Sequence, residues 1–209
     1  YGLTKGQFSA TNDKGSTSKK GIPNLYEPID LVSMALQLGA SFVARSFSGD
    51  KKQLVPLIKA ALKHKGMAFI DVISPCVAFN NHVGSTKSYE FTRDHLDTAV
   101  NADLILTSPE VTADYEEGAR EDVAMPDGST LRLYKLDADY DPHDRVGALN
   151  YVQKMQEEGT VVTGLLYVDT DPVECHDIMG TVKTPLAELT EKELCPGGKV
   201  LDSINESFR

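Results

Sequence analysis

Between Phe42 and Ile73 the chain switches hydrophobic period twice, and that switching constrains the fold more than any other feature of the sequence. Phe42 to Phe47 reads as a short strand. Ser48 is placed to cap a helix from about Asp50, in which Leu54, Leu57, Ile58, Ala61 and Leu62 recur at helical spacing until Gly66 ends it. Met67 to Ile73 follows as a continuous apolar strand interrupted only by Asp71. Strand, helix, strand makes a βαβ unit, and such units place parallel strands in a sheet covered on both faces. The expected class is therefore α/β, with a mostly parallel sheet and helices on both faces.

The flanks carry further elements. Pro28 suits the first turn of a helix through Ile29, Val32, Leu36 and Leu38, with Gly39 as its stop. Glu121 to Met125 and Thr130 to Leu136 flank Pro126-Asp127-Gly128-Ser129, which predicts a hairpin. Asp144 opens a helix through about Glu158, stopped by Gly159, and Val161 to Val168 reads as another strand. Thr190 with Glu193 fits a capping box. With no internal repeat, residues 1–95 are expected to form the α/β domain and residues 96–209 a C-terminal extension packing on it.

Charge narrows the function classes. Lys plus Arg number 21 and Asp plus Glu 31 among 209 residues, a formal charge of −10 that argues against sequence-independent nucleic-acid binding. With 41% hydrophobic residues the chain has material for a core, but its longest apolar runs are far short of the roughly 20 residues of a membrane span. Cys76, Cys175 and Cys195 form an odd set without paired spacing, which points to a reducing compartment, so a cytoplasmic location is expected. Residues 1–65 hold 10 Lys/Arg against 4 Asp/Glu, while residues 90–145 hold 5 against 15, so the two halves face different surroundings.

Several residues could carry chemistry. Tyr1-Gly2-Leu3-Thr4-Lys5-Gly6-Gln7 places glycines, a hydroxyl and an ammonium together, a set that suits a diphosphate or carboxylate, although an ordinary polar loop reads the same way. Ser9 to Gly21 reads as a loop that is mobile or ordered by a ligand. Cys76 follows an apolar strand at its carboxyl end, where open α/β sheets place ligands. It could be a nucleophile, with His82 near in sequence, a metal ligand or an inert thiol, and composition favours the last. Asp137, Asp139 and Asp141 alternate like the start of a calcium loop, yet Pro142 and Ala148 stand where that loop needs Gly and Glu. His64, His95, His143 and His176 are scattered and read as surface or satisfied polar residues.

Taken in order, Tyr1 to Gln7, Gly39 to Ser46, Phe69 to Cys76, Phe79 to His82, Asp137 to Arg145, Thr163 to Asp169 and Glu193 to Gly197 resemble the thiamine-diphosphate-binding beta subunit of 2-oxoacid:ferredoxin oxidoreductases, most closely the 2-oxoglutarate type. The resemblance implies a partial thiamine-diphosphate-binding fold. It also implies that Gly2, Leu3 and Thr4 match the loop holding thiamine diphosphate, that Lys5 matches a lysine beside the reacting 2-oxoacid, and that Cys76 matches the last of four cysteines on a 4Fe-4S cluster. Cys175 and Cys195 match no ligand position.

The family's Gly-Asp-Gly magnesium motif, its magnesium-binding Asn and the three other cluster cysteines are not among these residues, so the chain is expected to be the C-terminal portion of a beta subunit and inactive alone. The implied enzyme decarboxylates a 2-oxoacid oxidatively, gives the acyl group to coenzyme A and passes electrons to ferredoxin. An alpha subunit is the implied partner. The basic balance of residues 1–65 fits anionic ligands, although solvated lysines explain it equally well. A pyruvate or broad-specificity member of the family, or a non-catalytic assembly subunit, are the competing expectations.

Overall fold

The computed structural model describes residues 3–4, 7–17, 21–74, 81, 83–105, 119–124, 130–135, 139–195 and 197–208. In chain order these give β1 (Leu3–Thr4), β2 (Gln7–Phe8), α1 (Leu31–Gln37), β3 (Phe42–Phe47), α2 (Lys51–Lys63), β4 (Ala68–Ile73), α3 (Tyr89–Asp94), β5 (Leu96–Ile105), β6 (Ala119–Ala124), β7 (Thr130–Lys135), α4 (Arg145–Glu157) and β8 (Val161–Val168). Then come α5 (Cys175–Met179), a 3-10 turn (Leu186–Glu188), α6 (Glu191–Leu194) and α7 (Gly198–Ser207).

Aspartate starts three of the helices for the same reason. A carboxylate at the cap accepts from an amide that has no partner inside the helix. Asp30 accepts from Ser33 N at 3.0 Å, Asp50 from Gln53 N at 3.1 Å and Asp144 from Val146 N at 3.0 Å. Helix α1 therefore starts three residues after Pro28, and Ile29 and Leu38, expected on its buried face, are exposed. Gly39 and Gly159, with φ of +87° and +75°, turn the chain out of α1 and α4 in the left-handed conformation glycine tolerates.

The main sheet has six strands in the order β4-β3-β8-β5-β7-β6. The α/β class is as expected, but the sheet is mixed rather than mostly parallel. β3 and β4 run parallel from Phe42↔Ala68 to Phe47↔Ile73, as the βαβ unit requires, and β5 is parallel to β8. β8 leaves α4 running opposite to β3 and inserts between β3 and β5, while the predicted hairpin forms as β6 and β7 and adds antiparallel pairs. Such pairing is non-local and leaves no mark on the hydrophobic period of any one strand. β4 is an edge strand and only half-buried despite its apolar run.

Alternate residues of β3 show which helix covers which face. Arg45 reaches Asp30 at the cap of α1, whereas Ser46 Oγ donates to Gln53 Oε1 of α2 at 2.9 Å, so α1 and α2 lie on opposite faces. The core between them includes Leu36, Phe42, Val43, Leu57, Val100, Val162, Leu165, Leu166 and Val168, all essentially inaccessible. Each such side chain contributes about 1.5–3 kcal/mol on burial.

Helix α2 buries a polar side chain where its apolar spacing predicted otherwise. Gln53 Nε2 donates to Asn101 Oδ1 at 3.1 Å and to Thr163 Oγ1 at 3.3 Å, and Thr163 Oγ1 donates to the Asp97 carbonyl at 3.2 Å. Ser46, Gln53, Asn101 and Thr163 are all buried, while Ile58 and Leu62 of the expected face are exposed. A fully paired network of this kind fixes the register of α2 on β3, β5 and β8.

Residues Tyr1–Glu174 and Cys175–Arg209 form two compact units. In the second, α5, α6 and α7 contain no buried residue, and the capping box of Thr190 and Glu193 is formed. No described helix is long and apolar enough to cross a membrane.

Candidate functional site

A cavity of about 480 Å³ opens where β4 runs out at Ile73 and Ser74, the carboxyl end at which α/β sheets hold ligands. Its charged lining comes from Asp13, Asp30, Arg45, Asp71 and Lys87, with Thr86 beside them. Val152 and Gln156 of α4 and Val161 and Val162 of β8 close another side.

Arg45 is the centre of one cluster. Its Nε donates to Asp71 Oδ2 at 2.9 Å and its guanidinium also reaches Asp30 Oδ1. Arg45 and Asp71 face each other in register across β3 and β4, each the single charged residue of its strand. Asp30 also accepts from the Ser33 amide and hydroxyl. Burial would raise its pKa, but the Arg45 guanidinium and the Ser33 hydrogen bonds outweigh burial and hold it below the ordinary carboxylate value. The side chains of Arg45 and Asp30 are only 11% and 14% exposed, so removing one partner strands a buried charge.

Asp13 is the centre of a second. Its Oδ2 accepts from Thr86 N at 3.0 Å, and its Oδ1 from Thr86 Oγ1 at 2.5 Å and Lys87 Nζ at 3.0 Å. Here too burial opposes ionisation, and the Thr86 hydrogen bonds and the Lys87 ammonium prevail, so its pKa is lowered. The loop after Ser9 is fastened by protein groups as well. Asn24 Nδ2 donates to the carbonyls of Asn12 and Asp13, each at 3.2 Å, and Asn24 N donates to Ser16 O at 2.8 Å.

Of the residues singled out from the sequence, Leu3 and Thr4 form β1, paired antiparallel as Leu3↔Phe8 and Thr4↔Gln7. Gly2, Lys5, Cys76, His82 and Asp137 lie outside the described residues. Cys175 and Cys195 are exposed free thiols. Among the described residues no group of three or more His, Cys, Asp or Glu is placed to hold a metal ion, so these residues by themselves fit neither a magnesium ion nor an iron-sulfur cluster.

His64, expected at the surface or satisfied, is buried and half-satisfied. Its Nε2 lies 2.8 Å from Ser41 Oγ, while Nδ1 has no hydrogen-bond partner among the described residues. Burial lowers its pKa, against the opposing pull of Asp169. Among the described residues no acceptor at Nδ1 orients the ring, which is the third group that a nucleophile and base pair uses.

Sequence patterns alone do not single out Asp13, Asp30 and Arg45, whereas Ser85-Thr86-Lys87 reads as a polar loop after the sheet that suits a binding wall or a solvated connection equally, and the structure puts Thr86 and Lys87 in the cavity lining. The available signal was a charge inside an apolar strand, seen at Asp71 and repeated at Arg45.

Residues 1–72 match the family model of the thiamine pyrophosphate enzyme C-terminal TPP binding domain, and residues 130–184 match that of the C-terminal part of the pyruvate ferredoxin oxidoreductase beta subunit. The 2-oxoacid:ferredoxin oxidoreductase subunit beta of Saccharolobus solfataricus is 42% identical over 112 residues, and its counterpart from Sulfolobus sp is 40% identical over 111. The chain is similar, in both of these regions and to these relatives, to the beta subunits of 2-oxoacid:ferredoxin oxidoreductases.

Each of those alignments covers 53% of this chain and 36% of the relative, so the chain spans about a third of the length of the curated relatives it matches. The 2-oxoglutarate oxidoreductase subunit KorB of Mycobacterium tuberculosis is 38% identical over 82 residues, 39% of this chain and 22% of that protein. A solved 2-oxoglutarate:ferredoxin oxidoreductase from Magnetococcus marinus, with 2-oxoglutarate, coenzyme A and succinyl-CoA bound, superposes with a TM-score of 0.57 over 95% of this chain and 53% of that one. At 21% identity that likeness speaks to the fold alone.

Proposed function

We propose that the chain is part of the beta subunit of an enzyme that oxidatively decarboxylates a 2-oxoacid, 2-oxoglutarate foremost, to its acyl-CoA. The bond between the carboxylate and the carbonyl carbon breaks, carbon dioxide leaves, the acyl group goes to the coenzyme A sulfur with release of the thiol proton, and two electrons go to ferredoxin, a transfer that a 4Fe-4S cluster held in part by Cys76 would mediate. The observation that carries this reading is the match of residues 1–72 to a thiamine-diphosphate-binding domain, in a chain that over 111–112 residues is 40–42% identical to 2-oxoacid:ferredoxin oxidoreductase beta subunits.

In this reading residues 1–95 are the cofactor-binding portion and residues 96–209 the extension. The two family matches, on 1–72 and 130–184, support that division. Gly2, Leu3 and Thr4 hold the diphosphate. Lys5 binds the substrate carboxylate and stabilises negative charge that develops beside it. Cys76 supplies one thiolate to the cluster. Bound thiamine diphosphate supplies the nucleophile and the electron sink. The name "subunit beta" in the relatives supports an alpha subunit as partner, and the odd cysteine count supports a cytoplasmic complex.

The test is the assembled complex. Cys76→Ser should abolish or alter the cluster's electron paramagnetic resonance signal while thiamine diphosphate stays bound, and Lys5→Ala should reduce turnover sharply. An unchanged signal removes Cys76 from the cluster, and wild-type kinetics remove Lys5 from the reaction. A broader specificity that includes pyruvate is favoured by one observation, the pyruvate-named family model on residues 130–184. Values of kcat/KM for 2-oxoglutarate and pyruvate separate the two.

A further inference from the structure

Two loops border the cavity, residues 9–17 and residues 83–88. In sequence the first follows Lys5 and the second follows Cys76. Each is organised largely by its own contacts. The first is closed by Asn24, by Asn12 N donating to Ser9 O at 3.0 Å and by Ser16 Oγ donating to Asp13 O at 2.6 Å. In the second, Ser88 Oγ donates to Ser85 O at 2.9 Å and also accepts from Phe91 N at 3.1 Å, which starts α3.

The carboxylate of Asp13 carries three hydrogen bonds from the first loop to the second, two from Thr86 and one from the Lys87 ammonium. Its side chain is 20% exposed and that of Lys87 30%, so the joint is partly shielded from water and stronger than a surface pair.

We infer that Asp13 is a positioning residue of the proposed active site, a joint that sets the separation between the loop after Lys5 and the loop after Cys76. This rests on the roles proposed above for those two residues. Asp13 touches no reacting atom in this scheme. It acts through Thr86 and Lys87. A misplacement of about 1 Å far from the reacting groups can cost on the order of 100-fold in rate, which gives a joint of this kind its leverage.

The experiment uses the assembled complex carrying Asp13→Asn, Asp13→Ala, Thr86→Val or the Asp13→Ala/Thr86→Val pair. Amide hydrogen exchange is read in residues 9–17, 84–88 and α2, and turnover is expressed per thiamine diphosphate bound. Asp13→Ala should speed exchange in both loops while α2 keeps its wild-type protection, and should lower turnover per bound cofactor tenfold or more. Asp13→Asn, which keeps an acceptor for Thr86, should fall between wild type and Asp13→Ala. Thr86→Val should add little to Asp13→Ala, because both break the same joint.

Wild-type turnover per bound cofactor in Asp13→Ala overturns the inference, since a purely structural role would lower the amount of loaded enzyme and not its rate. Wild-type exchange in residues 84–88 overturns it too. Lys5→Ala and Cys76→Ser run in parallel keep the two ideas apart. If these two leave turnover intact, the roles assigned to Lys5 and Cys76 fail, while the joint is still judged by exchange.

Discussion

Replacing Gly164 with alanine tests the centre of the sheet. Gly164 lies in β8 at φ +97°, beside the shift in pairing register between β8 and β5. An L-residue in this left-handed region costs roughly 1–2 kcal/mol. A Cβ there would lie 2.0 Å from the Val100 carbonyl oxygen and 2.8 Å from its carbonyl carbon, atoms of the β5 backbone that no rotamer change can move. Forcing extra volume into a close-packed site costs about 1–3 kcal/mol more. Gly164→Ala should therefore destabilise by about 2–5 kcal/mol, or on the order of 10 °C in Tm.

Gly159→Ala is the matched control. That glycine also has positive φ, at +75°, but a Cβ would meet nothing within 4 Å, so only the conformational cost of about 1–2 kcal/mol should appear. Urea denaturation of both variants, followed by circular dichroism at 25 °C, gives the difference directly. Equal losses would refute the reasoning, because they would mean that β5 does not press on β8 at Val100.

Gln53→Leu should cost about 2–4 kcal/mol by the same assay, since it leaves the buried Ser46, Asn101 and Thr163 without their shared partner. Leu62→Ser, on the exposed side of the same helix, should change stability by less than about 0.5 kcal/mol. Asp30→Ala removes the α1 cap and a carboxylate from Arg45 together, and should lose about 3–5 kcal/mol, with Asp30→Asn losing less because the amide oxygen still caps. Asp13 and Asp30 have lowered folded-state pKa values, so their stabilisation is complete above the ordinary value of 3.8 and disappears as pH falls through the folded values below it. His64, also lowered, favours its neutral form when folded. Its contribution is present above the ordinary value of 6.5 and is lost as pH falls through the folded value, a slope that His64→Gln should remove from a denaturation series between pH 7.5 and 5.

What the sequence makes legible is local. β3 and β8 are mostly apolar, are flanked by turn residues and keep their predicted bounds, and α4 is framed by Asp144 and Gly159, whose side chain and φ do their work within one helical turn. The face of α2 differs from its apolar spacing because Gln53 is buried by partners on three different strands, and Ile58 and Leu62 satisfy helical spacing equally well without finding anything to cover them. The same holds for the cavity. Arg45 and Asp71 lie 26 residues apart and Asp13 and Thr86 73 apart, so these pairs exist only once the strands align and the loops close. The antiparallel insertion of β8 is non-local in the same sense.

That insertion also orders events on the ribosome. The strand that joins β3 to β5 is encoded last, after both neighbours. At about 5–20 residues per second, the facing edge of β3 waits on the order of ten seconds before residues 161–168 are made. Over that interval β3 and β5 present unpaired backbone to every other strand in reach. Slowing translation ahead of Val161 should therefore lower the yield of folded protein more than slowing it after Val168.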